Sequence, residues 1–173
     1  MVIWLIGLAG AGKTSIGRAL HGLIKGIDPA TVLLDGDHVR EIMGGDLGHS
    51  LEDRRQNGWR ICRMCSYFDK QGINVVCATL SQFHEQQKWN RETFSRYFEV
   101  FVDAPMDVLI ARDQKGLYSG ALAGTVKNVV GIDMPFPPPV AADLVVANAT
   151  PVNDFMPLAE TILAKARERF PHW

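Results

Sequence analysis

A glycine-rich segment near the start of the chain has the residue types and spacing of a phosphate-binding loop. Residues 7–14 read Gly-Leu-Ala-Gly-Ala-Gly-Lys-Thr, a complete GxxxxGK[ST] pattern that follows an apolar stretch. In such a loop the glycines let backbone N–H groups face phosphate oxygens, the lysine reaches the β- and γ-phosphates, and the last hydroxyl binds Mg²⁺. The following helix adds the positive end of its dipole. The residues predicted to bind ATP here are Gly7, Ala9, Gly10, Ala11, Gly12, Lys13, Thr14 and Ser15.

Two carboxylates follow the second apolar stretch, in the segment Leu-Asp-Gly-Asp-His-Val-Arg at residues 34–40. In a parallel α/β sheet, ligands bind beyond the carboxyl ends of the strands, so Asp35 and Asp37 are expected beside the phosphate loop. One acid can support Mg²⁺ and the other can accept the proton of an acceptor hydroxyl. We therefore predict Lys13, Asp35 and Asp37 as catalytic, with Thr14 and Asp35 at the metal. A plainer interpretation makes Asp37 a helix N-cap.

Short apolar runs that alternate with longer amphipathic stretches predict a parallel sheet covered by helices on both faces. Five strands are predicted, at residues 2–6, 31–34, 73–78, 98–102 and 144–147. Helices are predicted at residues 14–24, 51–70, 82–97, 106–112 and 154–169. The polar, glycine-containing stretch 113–131 and the proline-rich stretch 134–140 fit neither pattern. Long irregular segments of this kind are often a lid or a binding loop, and we expect residues 113–131 to form a mobile lid. The expected fold is a single three-layer P-loop domain over residues 1–173, and the family resemblance described below implies a fold similar to that of nucleoside monophosphate kinases.

Length and composition limit the class of protein. The chain has 173 residues, 47% hydrophobic and 21% charged, which is ordinary for a globular domain. The formal net charge of −1 gives no basic excess for gripping a nucleic-acid polymer. Three cysteines are too few for a disulfide framework and fit a reducing compartment. We expect a cytoplasmic location, with no membrane segment.

Several further motifs occur in the order seen in adenylylsulfate kinases, and the chain resembles that family over about its first 150 residues. Besides the phosphate loop and residues 34–40, they are DLGHS at 46–50, EDRRQN at 52–57, RDQKGLY at 112–118, and 123–133, which ends in KNVVGID. The resemblance implies transfer of the γ-phosphate of ATP to the ribose 3′-hydroxyl of adenylylsulfate, a step of sulfate assimilation. It also implies a homodimer.

The resemblance also assigns roles by position. Arg112 and Lys115 begin the lid, where positive charge would meet the migrating phosphoryl group, and Asn148 would contact the donor nucleotide. The residues expected to hold the small nucleotide acceptor are Asp37, Arg40, His49, Arg54, Asn57, Ser81, Lys127 and Val129.

The chain departs from the family pattern on the acceptor side. Where the family has two phenylalanines that enclose the acceptor's adenine, this sequence has His49 and Val129. A base stacked on an aromatic ring gains about 1–3 kcal/mol, which a valine cannot supply. Gln82 stands where the family has proline, and residues 56–60 lack an acid and an arginine of the family motif. The acceptor is therefore either adenylylsulfate in a loosened pocket or another nucleotide, such as the cytidine diphosphoramidate used in capsule biosynthesis.

Two other classes of protein remain as alternatives. A nucleotide-dependent switch of the GTPase type needs a base-reading NKxD-like motif, which the sequence lacks. A binding protein with an inactive kinase fold is disfavoured because Lys13, Thr14, Asp35 and Asp37 are all present. ADP release that depends on an acceptor separates both from a kinase.

Overall fold

The computed structural model describes residues 1–113, 115–149 and 154–172. Five strands and seven helices lie within these ranges. In chain order they are β1 (Val2–Ile6), α1 (Lys13–Ile27), β2 (Thr31–Asp35), α2 (Gly36–Ile42), α3 (Leu51–Lys70), β3 (Asn74–Thr79), α4 (His84–Thr93), β4 (Tyr97–Asp103), α5 (Met106–Arg112), α6 (Leu117–Leu122), β5 (Leu144–Ala147) and α7 (Met156–Arg169). None of the helices in these ranges combines the length and apolar character needed to cross a membrane.

The five strands form one parallel sheet in the order β2-β3-β1-β4-β5. Strand β1 lies at the centre, and its last residue, Ile6, is level with Thr79 of β3 and Phe101 of β4. Because all strands run in the same direction, their carboxyl ends meet at one edge. The segments that follow β1, β2 and β4 are therefore brought together there, which confirms the predicted fold class.

Both faces of β1 are buried, which explains its unbroken apolar sequence. Ile3 and Leu5 face one hydrophobic cluster, which includes residues of α1 and α7. Trp4 and Ile6 face a second cluster, which includes residues of α2 and α3. The sheet is therefore the middle of three layers. The three cysteines are free and buried in the second cluster, as expected for packed thiols.

The predicted helix over residues 82–97 was wrong at its carboxyl end. Helix α4 stops at Thr93, and Phe94 turns to extended backbone with φ −78° and ψ 144°. The Phe94 ring packs against Trp4 and Tyr97, with ring centroids 6.3 and 5.6 Å apart. Tyr97 is the first residue of β4 and pairs with Val2. Burial of these rings in the second cluster outweighs the helical preference of the polar segment.

Two short helices were not among the predicted helix ranges. Helix α2 follows β2 directly, and its N-cap is Asp35, whose side chain accepts a hydrogen bond from the backbone N–H of Asp37. The interpretation of Asp37 as the cap was therefore wrong. Helix α6 lies inside the expected lid and starts after Gly116, which has φ +63°. The Asp113 carboxylate accepts hydrogen bonds from the N–H groups of Tyr118 and Ser119 and so holds the first turn of α6.

Candidate active site

The glycine-rich segment joins β1 to α1 in the tight path expected of a phosphate loop. Gly12 has φ +97°, a conformation that L side chains rarely adopt. A Cβ atom at Gly7 would lie 2.6 Å from the carbonyl oxygen of Val102, so the loop passes directly over β4. Helix α1 then begins at Lys13 with no side-chain cap, which leaves its first N–H groups available to an anion. Thr14 and Ser15 are exposed in this first turn.

Four consecutive backbone carbonyls of the loop accept hydrogen bonds from side chains. The donors come from widely separated parts of the chain. They are Lys13 Nζ to Leu8 at 2.7 Å, Tyr118 Oη to Ala9 at 2.8 Å, Arg112 Nη1 to Gly10 at 3.3 Å and Asn148 Nδ2 to Ala11 at 2.8 Å. Arg112 also donates to the backbone carbonyl of Asn148, at 2.9 Å. The predicted Arg112 and Asn148 therefore lie at the phosphate loop, where they hold its backbone.

Lys13 is half-buried in the loop, and its environment changes its titration. Burial lowers its pKa to about 8, although the nearby carboxylates of Asp35 and Asp37 act in the opposite direction. A triphosphate would supply the negative charge that favours the protonated form. The lysine amine is therefore placed to move from the Leu8 carbonyl to a bound phosphate.

A chain of three hydrogen bonds runs from the phosphate loop through the two predicted acids to Lys115, in the segment predicted as the lid. Thr14 Oγ1 donates to Asp35 Oδ2 at 2.6 Å, the backbone N–H of Asp37 donates to Asp35 Oδ1 at 3.0 Å, and Lys115 Nζ donates to Asp37 Oδ2 at 2.6 Å. Desolvation acts to raise the pKa of Asp37. The hydrogen bond and charge of Lys115, with the charges of Lys13 and His49, outweigh it and hold the pKa below its ordinary value. Asp37 is therefore ionised at neutral pH.

The oxygen atoms of Thr14 and Asp35 fit Mg²⁺, which binds hard oxygen ligands and retains several waters. Among the described residues, no group of three or more His, Cys, Asp or Glu side chains could hold a metal ion. A magnesium ion here would therefore take most of its ligands from water and from substrate phosphates, as is usual for phosphoryl-transfer sites. Thr14 and Asp35 would hold it.

Two of the residues predicted to bind the acceptor hold the 46–50 loop in place. Arg40 Nη1 donates to the carbonyls of Leu47, at 3.1 Å, and Gly48, at 2.5 Å. Arg54 Nε donates to the carbonyl of His49 at 3.0 Å. Both arginines are half-buried. Arg54 thereby places positive charge near Asp37. Both arginines fix the backbone that carries His49.

Arg54 also links this loop to the 127–133 segment, because its Nη2 donates to the carbonyl of Asn128 at 2.8 Å. Asn128 has φ +63°, and its N–H, like that of Val129, donates to the Asp133 carboxylate. Asp133 was not among the residues predicted for the site. Its carboxylate binds these two N–H groups and so closes residues 128–133 into a compact turn. Lys127, just before the turn, is exposed, whereas Val129 within it is buried.

The remaining predicted acceptor residues differ in their exposure. His49 is exposed, and partial desolvation together with the charges of Arg40 and Arg54 lowers its pKa. Val129 is only 5% exposed and belongs to the first hydrophobic cluster. The structure thus places Val129 in the core and His49 on the surface. These two side chains therefore do not form a pocket that could enclose a base.

Asn57 and Ser81 are both buried. Asn57 Nδ2 donates to the Gly36 carbonyl at 3.4 Å, which connects α3 to the start of α2. Ser81 has φ +51°, its hydroxyl accepts a hydrogen bond from Trp4 Nε1 at 3.1 Å, and its carbonyl accepts one from Gln87. These contacts fix the backbone around the site, and the roles of both residues in acceptor binding stay predictions.

Comparison with known proteins identifies the family. The model of the adenylylsulphate kinase family matches residues 1–147. The chain belongs to the adenylylsulphate kinase family. An adenylyl-sulfate kinase of Paraburkholderia xenovorans is 43% identical over 155 residues, which cover 88% of this chain and 87% of the relative. A cytidine diphosphoramidate kinase of Campylobacter jejuni is 40% identical over 148 residues, 86% of each chain.

A solved structure agrees with this assignment. The adenylylsulphate kinase of Mycobacterium tuberculosis in complex with AMPPNP and APS superposes with a TM-score of 0.82 and 31% identity, covering 95% of both chains. Membership of this kinase family, together with the intact phosphate loop, shows that the protein is a phosphotransferase with a nucleotide donor and a hydroxyl acceptor.

Proposed function

We propose that this kinase transfers the γ-phosphate of ATP, with Mg²⁺, to the ribose 3′-hydroxyl of adenylylsulfate, releasing 3′-phosphoadenylylsulfate and ADP. The observation that carries the proposal is the chain of hydrogen bonds Thr14–Asp35–Asp37–Lys115. An ionised carboxylate between the phosphate loop and the expected lid supports the proposal, because an acceptor hydroxyl would meet the γ-phosphate there. The 43% identical relative named adenylyl-sulfate kinase supports the choice of acceptor.

The proposed mechanism relies on alignment and charge more than on strong base chemistry. Phosphoryl transfer passes through a loose transition state, so little proton removal is needed before the phosphorus–oxygen bond breaks. An ionised carboxylate is a weak base but a good hydrogen-bond acceptor for the incoming hydroxyl. Asp37 therefore orients the acceptor hydroxyl toward the γ-phosphate. Bound Mg²⁺ would neutralise phosphate charge beside Thr14 and Asp35.

Lysine side chains on both sides of the reaction centre supply the remaining positive charge. Lys13 turns from the Leu8 carbonyl to the β- and γ-phosphates, and Lys115 leaves Asp37 for the migrating phosphoryl group. When Lys115 leaves, Asp37 becomes free to accept the substrate hydroxyl. Closure of the lid then excludes water, which would otherwise take the phosphate.

A second acceptor, cytidine diphosphoramidate, is favoured by one specific observation. Val129 is buried in the core and His49 is exposed, so the positions that carry two aromatic rings in the resembled family do not enclose a purine here. A relative named cytidine diphosphoramidate kinase is 40% identical over 86% of its length. A smaller pyrimidine with less stacking area would suit such a site.

Turnover with the two acceptors, measured side by side, tests the proposal. ADP release would be followed with adenylylsulfate, with cytidine diphosphoramidate and with no acceptor. Faster release with adenylylsulfate supports the first proposal, and faster release with cytidine diphosphoramidate supports the second. ADP release that is independent of both acceptors would refute both.

The variant His49→Phe sharpens this test because it restores one aromatic ring at an exposed position. With adenylylsulfate as the acceptor, we expect its KM to fall several-fold, since base stacking contributes about 1–3 kcal/mol. The KM for ATP serves as the internal control and should not change. A fall in both values, or in neither, would show that His49 does not face the acceptor's base.

The homodimer and the cytoplasmic location expected from the sequence stay part of this proposal.

A further inference from the structure

Tyr118 connects the lid to the phosphate loop. It is the second residue of α6 and is 1% exposed, and its hydroxyl donates to the Ala9 carbonyl at 2.8 Å. Its backbone N–H is held by the Asp113 carboxylate at 3.0 Å. Both the main chain and the side chain of Tyr118 are therefore held, the first by Asp113 at the end of α5 and the second by the glycine-rich loop.

We propose that Tyr118 is a positioning residue that sets the Ala9–Gly10 peptide for phosphate binding and thereby couples lid helix α6 to the nucleotide. This inference rests on the proposed binding of ATP by the glycine-rich loop. It adds to that proposal a residue that touches neither the phosphates nor the acceptor.

The planarity of the peptide bond explains how a hydroxyl at Ala9 acts on the phosphate side of the loop. In a trans peptide the carbonyl of one residue and the N–H of the next point in opposite directions. A hydrogen bond that holds the Ala9 carbonyl toward α6 therefore holds the Gly10 N–H away from α6. Gly10 has φ +75° and lacks a side chain, so its peptide planes would otherwise rotate easily.

The Tyr118 hydroxyl can act as a permanent hydrogen-bond donor. Burial, with a smaller effect of the Asp113 charge, raises its pKa to about 12. The hydroxyl therefore stays protonated over the whole range in which kinases are assayed. Lys13 differs, because it must leave the Leu8 carbonyl to contact phosphate, whereas Tyr118 can keep its bond in the loaded protein.

Coupling between two sites is reciprocal. If Tyr118 prepares the loop for the nucleotide, the nucleotide must in turn stabilise the position of α6. The exposed Lys115 lies at the start of this segment, and trypsin cleavage between Lys115 and Gly116 reports on its opening. A bound nucleotide should therefore slow that cleavage.

The test compares Tyr118→Phe with Tyr97→Phe. Each variant removes one buried hydroxyl and keeps the ring. The Tyr97 hydroxyl donates to Glu99 at 2.7 Å, and Tyr97 starts β4 at the end of the sheet away from the loop. The dissociation constant of AMPPNP is measured by isothermal titration calorimetry, and the unfolding temperature is measured by differential scanning calorimetry. Trypsin cleavage at Lys115 is followed by mass spectrometry with and without AMPPNP.

We expect Tyr118→Phe to bind AMPPNP about tenfold more weakly, because the Ala9 carbonyl loses its partner. It should also lose most of the nucleotide's protection at Lys115. Tyr97→Phe should keep wild-type affinity and protection, even if its unfolding temperature falls. Affinity of Tyr118→Phe within twofold of wild type, with protection intact, would overturn the inference. Failure of the wild-type protein to bind AMPPNP would refute the proposed function instead.

Discussion

A methyl group at Gly12 is the change that tests the loop geometry most directly. Gly12 has φ +97°, and a Cβ atom there would lie 2.5 Å from Asn148 Nδ2 and 3.4 Å from Phe155. An L residue in a left-handed conformation costs roughly 1–2 kcal/mol. Displacement of the Asn148 amide leaves the Ala11 carbonyl without its partner, for about 1–3 kcal/mol. We therefore expect Gly12→Ala to cost about 2–5 kcal/mol in total.

This cost can appear in two measured quantities, the free energy of unfolding and the affinity for ATP. If the loop keeps its shape, the free energy of unfolding falls by that amount. If the loop relaxes instead, the folded protein keeps its stability but loses affinity for ATP. Urea unfolding and calorimetric binding of AMPPNP, both at 25 °C, together measure the sum of the two losses.

Gly22→Ala is the matched control. Gly22 lies within α1, and a methyl group there would meet no described atom within 4 Å. Alanine is preferred over glycine inside a helix by about 0.8–1.0 kcal/mol, so this variant should be at least as stable as wild type, with unchanged affinity. A combined loss below about 1 kcal/mol for Gly12→Ala relative to wild type, while Gly22→Ala behaves as expected, would contradict the described loop geometry.

Two further predictions concern charge. Because burial lowers the pKa of Lys13 to about 8, the amine is protonated below that pH and mostly neutral above it in the nucleotide-free protein. AMPPNP should therefore bind about tenfold more weakly at pH 9 than at pH 7, with net proton uptake at pH 9; equal affinity and no uptake would disprove this. Asp37→Asn should lower kcat by about 100-fold or more while leaving AMPPNP affinity and stability near wild type, since its ion pair with Lys115 is exposed. Near-normal turnover would remove Asp37 from the mechanism, and Asp107→Asn, exposed on α5, is the control.

The sequence predicted the central elements well because local pattern and tertiary packing agree there. The bounds of β1, α3, α5 and β5 match the structure. Strand β1 is apolar because both of its faces are buried. Helix α3 starts at a capping box between Ser50 and Asp53, which is a local signal in the chain.

Prediction failed where distant contacts decide local structure. Gln86, Gln87 and Asn90 of α4 are buried although they are polar, so periodicity does not reveal where this helix packs or ends. Its end depends on the packing of Phe94 with Trp4, which lies 90 positions earlier in the chain. No pattern within the segment contains that information.

The active site shows the same division between local and distant information. The residue types of the phosphate loop predict its N–H groups and its lysine, but not the orientation of its peptides. That orientation depends on the Tyr118 and Asn148 side chains, which lie 109 and 137 positions after the carbonyls they contact. Both donors come from segments that lie over the loop only because β4 and β5 extend the sheet beside β1. The motif therefore predicts which groups would contact the phosphates, whereas side chains from the second half of the chain set the orientation of those groups.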